Sequence, residues 1–349
     1  MDSVTQITLG TAVGVAVMGR RVPVWQSALW GAAAGTTPDL DVVVDFGDAI
    51  LNMTRHRAES HAILLLTLAT PVFAGLAAWI GKRPELFKRW LLAFWLIFMT
   101  HVLVDYLTVY GTQLLQPFTD YPFGRGSIFI IDPLYTLPLL IGLVACLVSK
   151  SSRRFTFNTI GLTISSLYLV WGLSVQQHVE SVVRAQLPEG VSPGSNLLVT
   201  PSPLNSILWR VVATSPTHYY EGWHSLLDEH PEIIWTEHDR GADLIAQHSE
   251  HPGIARIQAF SHGFYRMQEV NGEVFITDLR MGFEPAYFFN FNMGTPNGDG
   301  ALDVNRVATQ SGLRPNIEKG LPWLWQRLTG QTKEPPPQAQ QQSQSQPKG

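Results

Sequence analysis

Long apolar runs crowd the first half of the chain, and this asymmetry constrains the fold more than any other feature. An α-helix needs about 20 apolar residues to cross the hydrocarbon core of a bilayer. Six runs are candidate spans. The runs 62–80 and 155–175 are uncharged, 91–104 and 128–148 are interrupted by ionisable residues, and 4–18 and 22–35 are short and rich in Gly and Ala. Because small residues let membrane helices pack closely, the sequence predicts an α-helical polytopic membrane domain of about six helices.

Basic residues between these runs predict an orientation. They lie after the first, third and fifth candidate spans: Arg20, Arg21, Lys82, Arg83, Lys88, Arg89, Lys150, Arg153 and Arg154. With six spans all three groups fall on one side of the membrane, which the positive-inside rule makes cytoplasmic. The loops 36–60 and 106–127, and everything after the sixth span, are then expected outside the cytoplasm.

The second half is more acidic and lacks long apolar runs, which predicts a water-soluble domain. We place the membrane domain at 1–178, a small soluble α+β domain at 179–330, and a disordered Pro/Gln/Ser-rich tail at 331–349. The soluble domain should contain short strands at 197–199 and 207–212, and a hairpin at 264–279 that turns at Asn271-Gly272. Helices are expected at 221–229 and 241–246.

Composition excludes several classes of protein. Only 15% of the residues are charged, against roughly 25% in an average globular domain. The single cysteine, Cys146, rules out a disulfide scaffold and a cysteine-cluster metal site. A net charge of −4 argues against a nucleic-acid partner held by phosphate contacts.

Ionisable residues in and beside apolar spans are functional candidates, because burying them in a membrane is costly. His101 and Asp105 are four residues apart and share a helix face. Asp39 and Asp41 would point the same way in an extended segment, and Ser60 could cap the helix that follows, next to His61. In the six-span arrangement these groups meet at one end of the bundle. The predicted metal ligands are Asp39, Asp41, His56, His61, His101 and Asp105.

Nitrogen and carboxylate ligands suit zinc, with manganese as the alternative. Arg57 and Asp120 are the candidate catalytic residues, Arg57 as the group that would stabilise developing negative charge. Each signal also has a structural reading. A His-x-x-x-Asp pair can simply hold a bundle together, and Asp-Leu-Asp after a proline can be a loop start or a helix cap.

The motifs MDSVTQITLGTAVG, WGAAAGTTPDLDV, HRAESHA, THVLVDYLTVYGTQLLQPFTDYPFG and IFIIDPLY resemble the YdjM-like family, in its long form with an extra C-terminal domain. The resemblance implies an inner-membrane-associated metal-dependent hydrolase, related by name to LexA binding, with the six ligands above. Two positions depart from the family pattern. Gln6 stands where many relatives have His, and Ala58-Glu59 replaces a common Gly-Phe. The order of ligands also resembles zinc phospholipase C and the single-strand-specific zinc nucleases.

We therefore expect a hydrolase of the bacterial inner membrane that uses metal-activated water on phosphoester bonds of a lipid or lipid-linked substrate. The bilayer is its expected partner. One alternative is a non-catalytic membrane scaffold or regulatory protein that binds a protein partner. A transporter that relays protons through His101 and Asp105 is a third reading.

Overall fold

The computed structural model describes residues 1–312 and 317–336. The chain forms two compact units. The first contains Met1–Ala185 and Val199–Arg210, and the second contains Gln186–Leu198 and the described residues from Val211 onward. The predicted tail 331–349 falls largely outside the described residues, and its residues 331–336 contain no helix or strand.

All six apolar runs of the first unit are helical. The helices are α1 (Ser3–Met18), α2 (Val24–Thr36), α3 (Ala49–Arg55), α4 (Ile63–Ile80), α5 (Phe87–Tyr106), α6 (Pro133–Val148) and α7 (Arg154–Arg184). Within the part of the chain that the structure describes, three segments are long and apolar enough to cross a membrane: Ile63–Ile80, Pro84–Tyr106 and Arg154–Arg184. Helices α1 and α6 are apolar but shorter. A helical region with three candidate spans is thus present, and six spans stay a prediction.

Glycines set the close packing of α1 on α2. A Cβ atom on Gly10 would lie 2.5 Å from the Gly31 carbonyl oxygen, and one on Gly35 would lie 2.7 Å from the Gln6 carbonyl oxygen. Only residues without a side chain allow this approach. Gly142 and Gly161 bring α6 and α7 together in the same way. The α1–α2 contact fixes the position of the C-terminal end of α2, and the first residue of the candidate site lies in the segment that follows it.

Two aspartates start helices of this unit. Asp2 accepts a hydrogen bond from the Thr5 amide at the start of α1. Asp132 accepts one from the Leu134 amide at the start of α6 and a second from the Tyr168 hydroxyl. Both carboxylates therefore satisfy amides that a helix N-terminus leaves unpaired.

The remaining elements build the sheet-containing part of the chain. The strands are β1 (Leu197–Pro201), β2 (Leu208–Thr214), β3 (His218–Ser225), β4 (Thr236–Asp239), β5 (Tyr265–Val270), β6 (Glu273–Asp278), β7 (Gly282–Phe283), β8 (Ala286–Tyr287), β9 (Asn290–Gly294) and β10 (Thr309–Gln310). The helices are α8 (Ala242–His248), α9 (Pro252–Phe260) and α10 (Ile317–Leu328). The two larger sheets have the orders β1-β2-β3-β4 and β10-β9-β6-β5.

The predicted hairpin is confirmed, and one predicted helix is wrong. β5 and β6 pair antiparallel up to Val270 and Glu273, and Asn271 and Gly272 both have positive φ, as a two-residue turn requires. The segment expected to be helical at 221–229 instead begins inside β3, where Glu221 pairs with Thr236 of β4. Strand pairing and burial override the helical tendency of residues 221–225, and Leu226 and Leu227 form a turn after the strand.

Candidate metal centre

Four side chains from three parts of the first unit converge on one point. Asp39, His61, His101 and Asp105 each offer one ligand atom, and these atoms all lie within 4.8 Å of one another. Asp39 lies in a 3₁₀ segment, Thr37–Val43, that continues α2, and His61 ends a second one, Glu59–His61, just before α4. His101 and Asp105 lie one turn apart near the C-terminal end of α5. The site is therefore assembled where one helix ends and another begins beside α5.

The separations of these atoms match the spacing of ligands around one small cation. His101 Nε2 lies 3.2 Å from His61 Nε2 and 3.2 Å from Asp105 Oδ2. His61 Nε2 lies 3.2 Å from Asp105 Oδ2 and 3.3 Å from Asp39 Oδ1, and His101 Nε2 lies 3.6 Å from Asp39 Oδ1. A tetrahedron with zinc–ligand bonds of about 2.0–2.1 Å has edges of about 3.3–3.4 Å. Five of the six edges are thus close to that length.

The partners of the two imidazole rings fix which nitrogen carries the proton. His101 Nδ1 lies 2.9 Å from the Gly35 carbonyl oxygen, which can only accept, so Nδ1 donates. Ser60 Oγ donates its own proton to Asp41 Oδ2 at 2.6 Å, so it accepts from His61 Nδ1 at 2.9 Å. Both Nε2 atoms then present lone pairs to each other.

This arrangement fits a metal ion. Asp39 Oδ1 and Asp105 Oδ2 are buried and have no hydrogen-bond partner within the described residues. Two lone pairs and two unpaired carboxylate oxygens repel one another when nothing positive lies among them. A divalent cation would satisfy all four atoms, and neutral imidazole with carboxylate is the donor set that zinc and related metals use.

Asp41 and His56 lie beside this group of four and bond to each other. His56 Nδ1 is 2.8 Å from Asp41 Oδ1, and the Arg57 amide donates to Asp41 Oδ2 at 2.9 Å. The expectation that Asp39 and Asp41 point the same way is wrong, because their segment is a 3₁₀ helix and not a strand. At three residues per turn, positions two apart are about 240° apart around the axis. A ligand role for Asp41 and His56 stays a prediction.

The two aspartates have lowered pKa values. Burial alone would raise the pKa of Asp39, but the adjacent imidazoles of His101 and His61 outweigh it and hold that pKa below its usual range. Burial also opposes ionisation of Asp41, and hydrogen bonds from His56, Ser60 and the Arg57 amide lower its pKa in the same way. Both carboxylates are therefore ionised at neutral pH, as metal binding or the support of a ligand requires.

Arg57 lies behind Asp105. The guanidinium is buried, with Nη2 3.3 Å from Asp105 Oδ1, Nη1 3.3 Å from Thr108 Oγ1, and its carbon 4.9 Å from the centre of the Tyr110 ring. The amino group of Met1 also bonds to Asp105 Oδ1. One oxygen of Asp105 thus faces positive charge, and the other faces the two imidazoles.

The remaining candidates are placed as follows. Asp120 is exposed and lies outside the group of four, and its catalytic role stays a prediction. Gln6 is buried, and its Nε2 donates to the His101 carbonyl oxygen at 3.4 Å. Ser60 does not cap α4, because that helix begins at Ile63 behind Ala62, which makes no side-chain cap. The actual role of Ser60, as the partner of His61 Nδ1, is not evident from the sequence, where the adjacent Ser60-His61 pair is its one visible signal.

Comparison with known proteins places the chain in a family. The family described as YdjM inner membrane protein matches residues 1–179, which contain the whole group of four. The chain belongs to the YdjM family. YfhP of Bacillus subtilis, described as an uncharacterized protein, is 23% identical over 228 residues, which cover 64% of this chain and 68% of YfhP. No solved structure matches the chain.

Membership of the YdjM family agrees with the physical character of the first unit. The family is one of inner membrane proteins, and the described residues of this chain include three helices long and apolar enough to cross a membrane. The long form of the family predicted from the motifs is consistent with the match to YfhP, which extends beyond the YdjM region. The His/Asp group could hold a metal ion.

Proposed function

We propose that this YdjM-family chain is a membrane-bound metal-dependent hydrolase that cleaves phosphoester bonds of a lipid or lipid-linked substrate. One observation carries the proposal: the Nε2 atoms of His61 and His101 face each other across 3.2 Å, beside two buried carboxylate oxygens that lack hydrogen bonds among the described residues. A centre built only to hold helices together would pair donors with acceptors. This one leaves four acceptors turned inward.

The donor set favours zinc, with manganese as the alternative. Two imidazole nitrogens and two carboxylate oxygens at near-tetrahedral spacing are typical zinc ligands, whereas manganese prefers more oxygen ligands. When bound, such a metal supplies Lewis acidity and a reactive water at neutral pH.

The protein groups around the centre have separate tasks in this proposal. Gly35 and Ser60 hold the rings of His101 and His61 so that each Nε2 points inward. Arg57 balances the charge of Asp105 and fixes its orientation. The Asp39 side chain keeps 18% of its surface exposed, while those of His61, His101 and Asp105 keep at most 1%. Substrate would therefore approach from the side of Asp39.

Metal content of the detergent-purified protein tests the proposal. We expect about one bound zinc or more per chain in the wild type and almost none in a His101→Ala/Asp105→Ala double mutant, measured by elemental mass spectrometry. Asp132→Asn is the matched control, because Asp132 is also buried but caps α6 outside the group. Equal, near-zero zinc and manganese in wild type and double mutant would refute the metal centre and leave the scaffold role as the better reading.

We also propose that the chain crosses the inner membrane six times, with its C-terminal domain outside the cytoplasm. The loops after α1, α4 and α6 carry the basic residues, while the loops that bear the centre carry mostly acidic and apolar ones. Because loops rich in Lys and Arg stay in the cytoplasm, the loops after α1, α4 and α6 are assigned to the cytoplasmic side. A reporter fused after Ala185 tests it.

A further inference from the structure

Two segments next to the candidate metal centre expose large apolar side chains. In the 3₁₀ segment that carries Asp39, Val42 and Val43 are 71% and 78% exposed. The second segment, 112–123, is a loop that we call the finger. Its base is closed by two hydrogen bonds between Thr112 and Phe123, of 2.7 and 2.9 Å. Phe118 of the finger is 80% exposed.

Both segments are bonded to the stretch of chain that carries His61. From one side, Asp41 accepts hydrogen bonds from the Arg57 amide and the Ser60 hydroxyl. From the other side, the Gln113 amide donates to the Arg57 carbonyl oxygen at 2.9 Å, and the Ile63 amide donates to the Leu114 carbonyl oxygen at 3.0 Å. The centre is therefore flanked by the two apolar segments.

The apolar surface continues onto a candidate membrane span. Helix α4 begins at Ile63, immediately after the stretch to which the finger is bonded. Its early residues Leu64 and Leu68 are 40% and 63% exposed, as expected of side chains that face lipid. Water would penalise the exposure of so many large apolar side chains on neighbouring segments. The headgroup region of a bilayer accepts it, and aromatic side chains are enriched there.

Charge supports the same occupant. Between residues 111 and 123 the sole carboxylate is Asp120, and the stretch has no lysine or arginine. Residues 40–44 have Asp41 alone, and its carboxylate is turned inward to His56 and Ser60. A polar protein partner would find few charges to pair with on these tips, whereas a bilayer requires none.

We propose that residues 42–43 and the exposed tip of the finger, around Phe118, insert into the bilayer surface. The candidate metal centre then takes an amphiphilic substrate directly from the membrane. The insertion stands on the exposed surface alone, and the choice of substrate rests on the hydrolase function proposed above. The apolar chain of such a substrate would remain in the bilayer, and its phosphoester would reach the centre from the side of Asp39.

Fluorescence from single labels tests the insertion without any assay of activity. Cys146 is the sole cysteine of the chain, so Cys146→Ala gives a background in which one new cysteine can carry an environment-sensitive dye. The test positions are Val43→Cys and Phe118→Cys in the full chain, reconstituted in phosphatidylethanolamine/phosphatidylglycerol vesicles. Leu68→Cys within α4 is the lipid control. Glu85→Cys, whose side chain is 58% exposed in the turn before α5, is the water control.

We expect the labels at positions 43 and 118 to be quenched by a lipid-borne spin label at least three-fold more than the label at 85, and to be shielded from aqueous iodide. Quenching equal to that at position 85 would overturn the proposal.

A second measurement separates insertion from catalysis. Val43→Asp/Phe118→Asp should lower hydrolysis of phosphatidylglycerol in vesicles at least ten-fold while leaving hydrolysis of soluble bis-p-nitrophenyl phosphate within two-fold. An equal loss on both substrates would contradict delivery from the membrane. If the wild type hydrolyses neither, the hydrolase proposal fails, and the fluorescence result alone decides insertion.

Discussion

Replacing Ser60 by alanine should weaken metal binding although Ser60 is not a ligand. Its hydroxyl accepts from His61 Nδ1 at 2.9 Å and donates to Asp41 Oδ2 at 2.6 Å. No other group can take over directly, because His61 Nδ1 lies 3.8 Å from the nearest Asp41 oxygen, beyond hydrogen-bond reach. Without the hydroxyl, the His61 ring loses both its fixed orientation and the partner that keeps the proton on Nδ1.

The expected size of the effect follows from the bonds that are lost. A neutral hydrogen bond contributes about 1 kcal/mol and one to a charged group about 1.5–3 kcal/mol. Of the free energy of these two hydrogen bonds, only the share that orients the His61 ring affects metal binding. Loss of a hydrogen-bond partner behind a metal-ligating histidine typically lowers metal affinity by about 10–100-fold. We therefore expect zinc affinity to fall by about 10–100-fold, or about 1.4–2.7 kcal/mol.

Competition with a chromophoric chelator, on detergent-purified protein, measures this loss. Ser60→Thr keeps the hydroxyl and should restore most of the affinity. Ser165→Ala is the matched control, because Ser165 is also buried and donates to the Tyr135 carbonyl oxygen, away from the centre. Unchanged affinity in a folded Ser60→Ala protein would refute the argument that the hydroxyl sets the protonation of His61.

Two further predictions concern the helices that carry the centre. Gly31→Ala should lower the free energy of unfolding by about 1–3 kcal/mol, because its Cβ would lie 2.5 Å from the Gly10 carbonyl oxygen. Gly75→Ala is the control and should be neutral or slightly stabilising, because its Cβ would meet only Phe87, at 4.0 Å. Thermal unfolding in detergent compares the two variants, and equal shifts in their unfolding temperatures would contradict the close packing of α1 on α2. Alkaline phosphatase fused after Ala185 should be active and a cytoplasmic reporter at the same position inactive, and the reverse pattern would overturn the six-span orientation.

The positions of the six helices that coincide with apolar runs follow from the sequence because an apolar run is a property of local composition. Each apolar run is long enough to specify a helix by itself, and its backbone hydrogen bonds are satisfied within the run. The hairpin at Asn271-Gly272 is local in the same sense, since the turn residues supply the positive φ values that two neighbouring strands need. Segment 221–229 is different, because its first residues, 221–225, belong to β3, and that strand pairs with a strand distant in sequence, β4.

The residue types of the centre were also visible in the sequence, as scarce Asp and His residues at the ends of apolar runs. Their arrangement was not, because a ligand is defined by where an atom points. Asp39 and Asp41 look equivalent in sequence, yet the 3₁₀ turn sends one carboxylate to the two imidazoles and the other to His56 and Ser60. In the same way, the Gly35 carbonyl oxygen has no chemical signature in a sequence, and only the close contact of α1 with α2 and the packing against α5 bring it to His101. The sequence by itself determined which groups a metal centre could use, and the tertiary structure decided which of them share one point, since that depends on contacts between segments up to 104 residues apart.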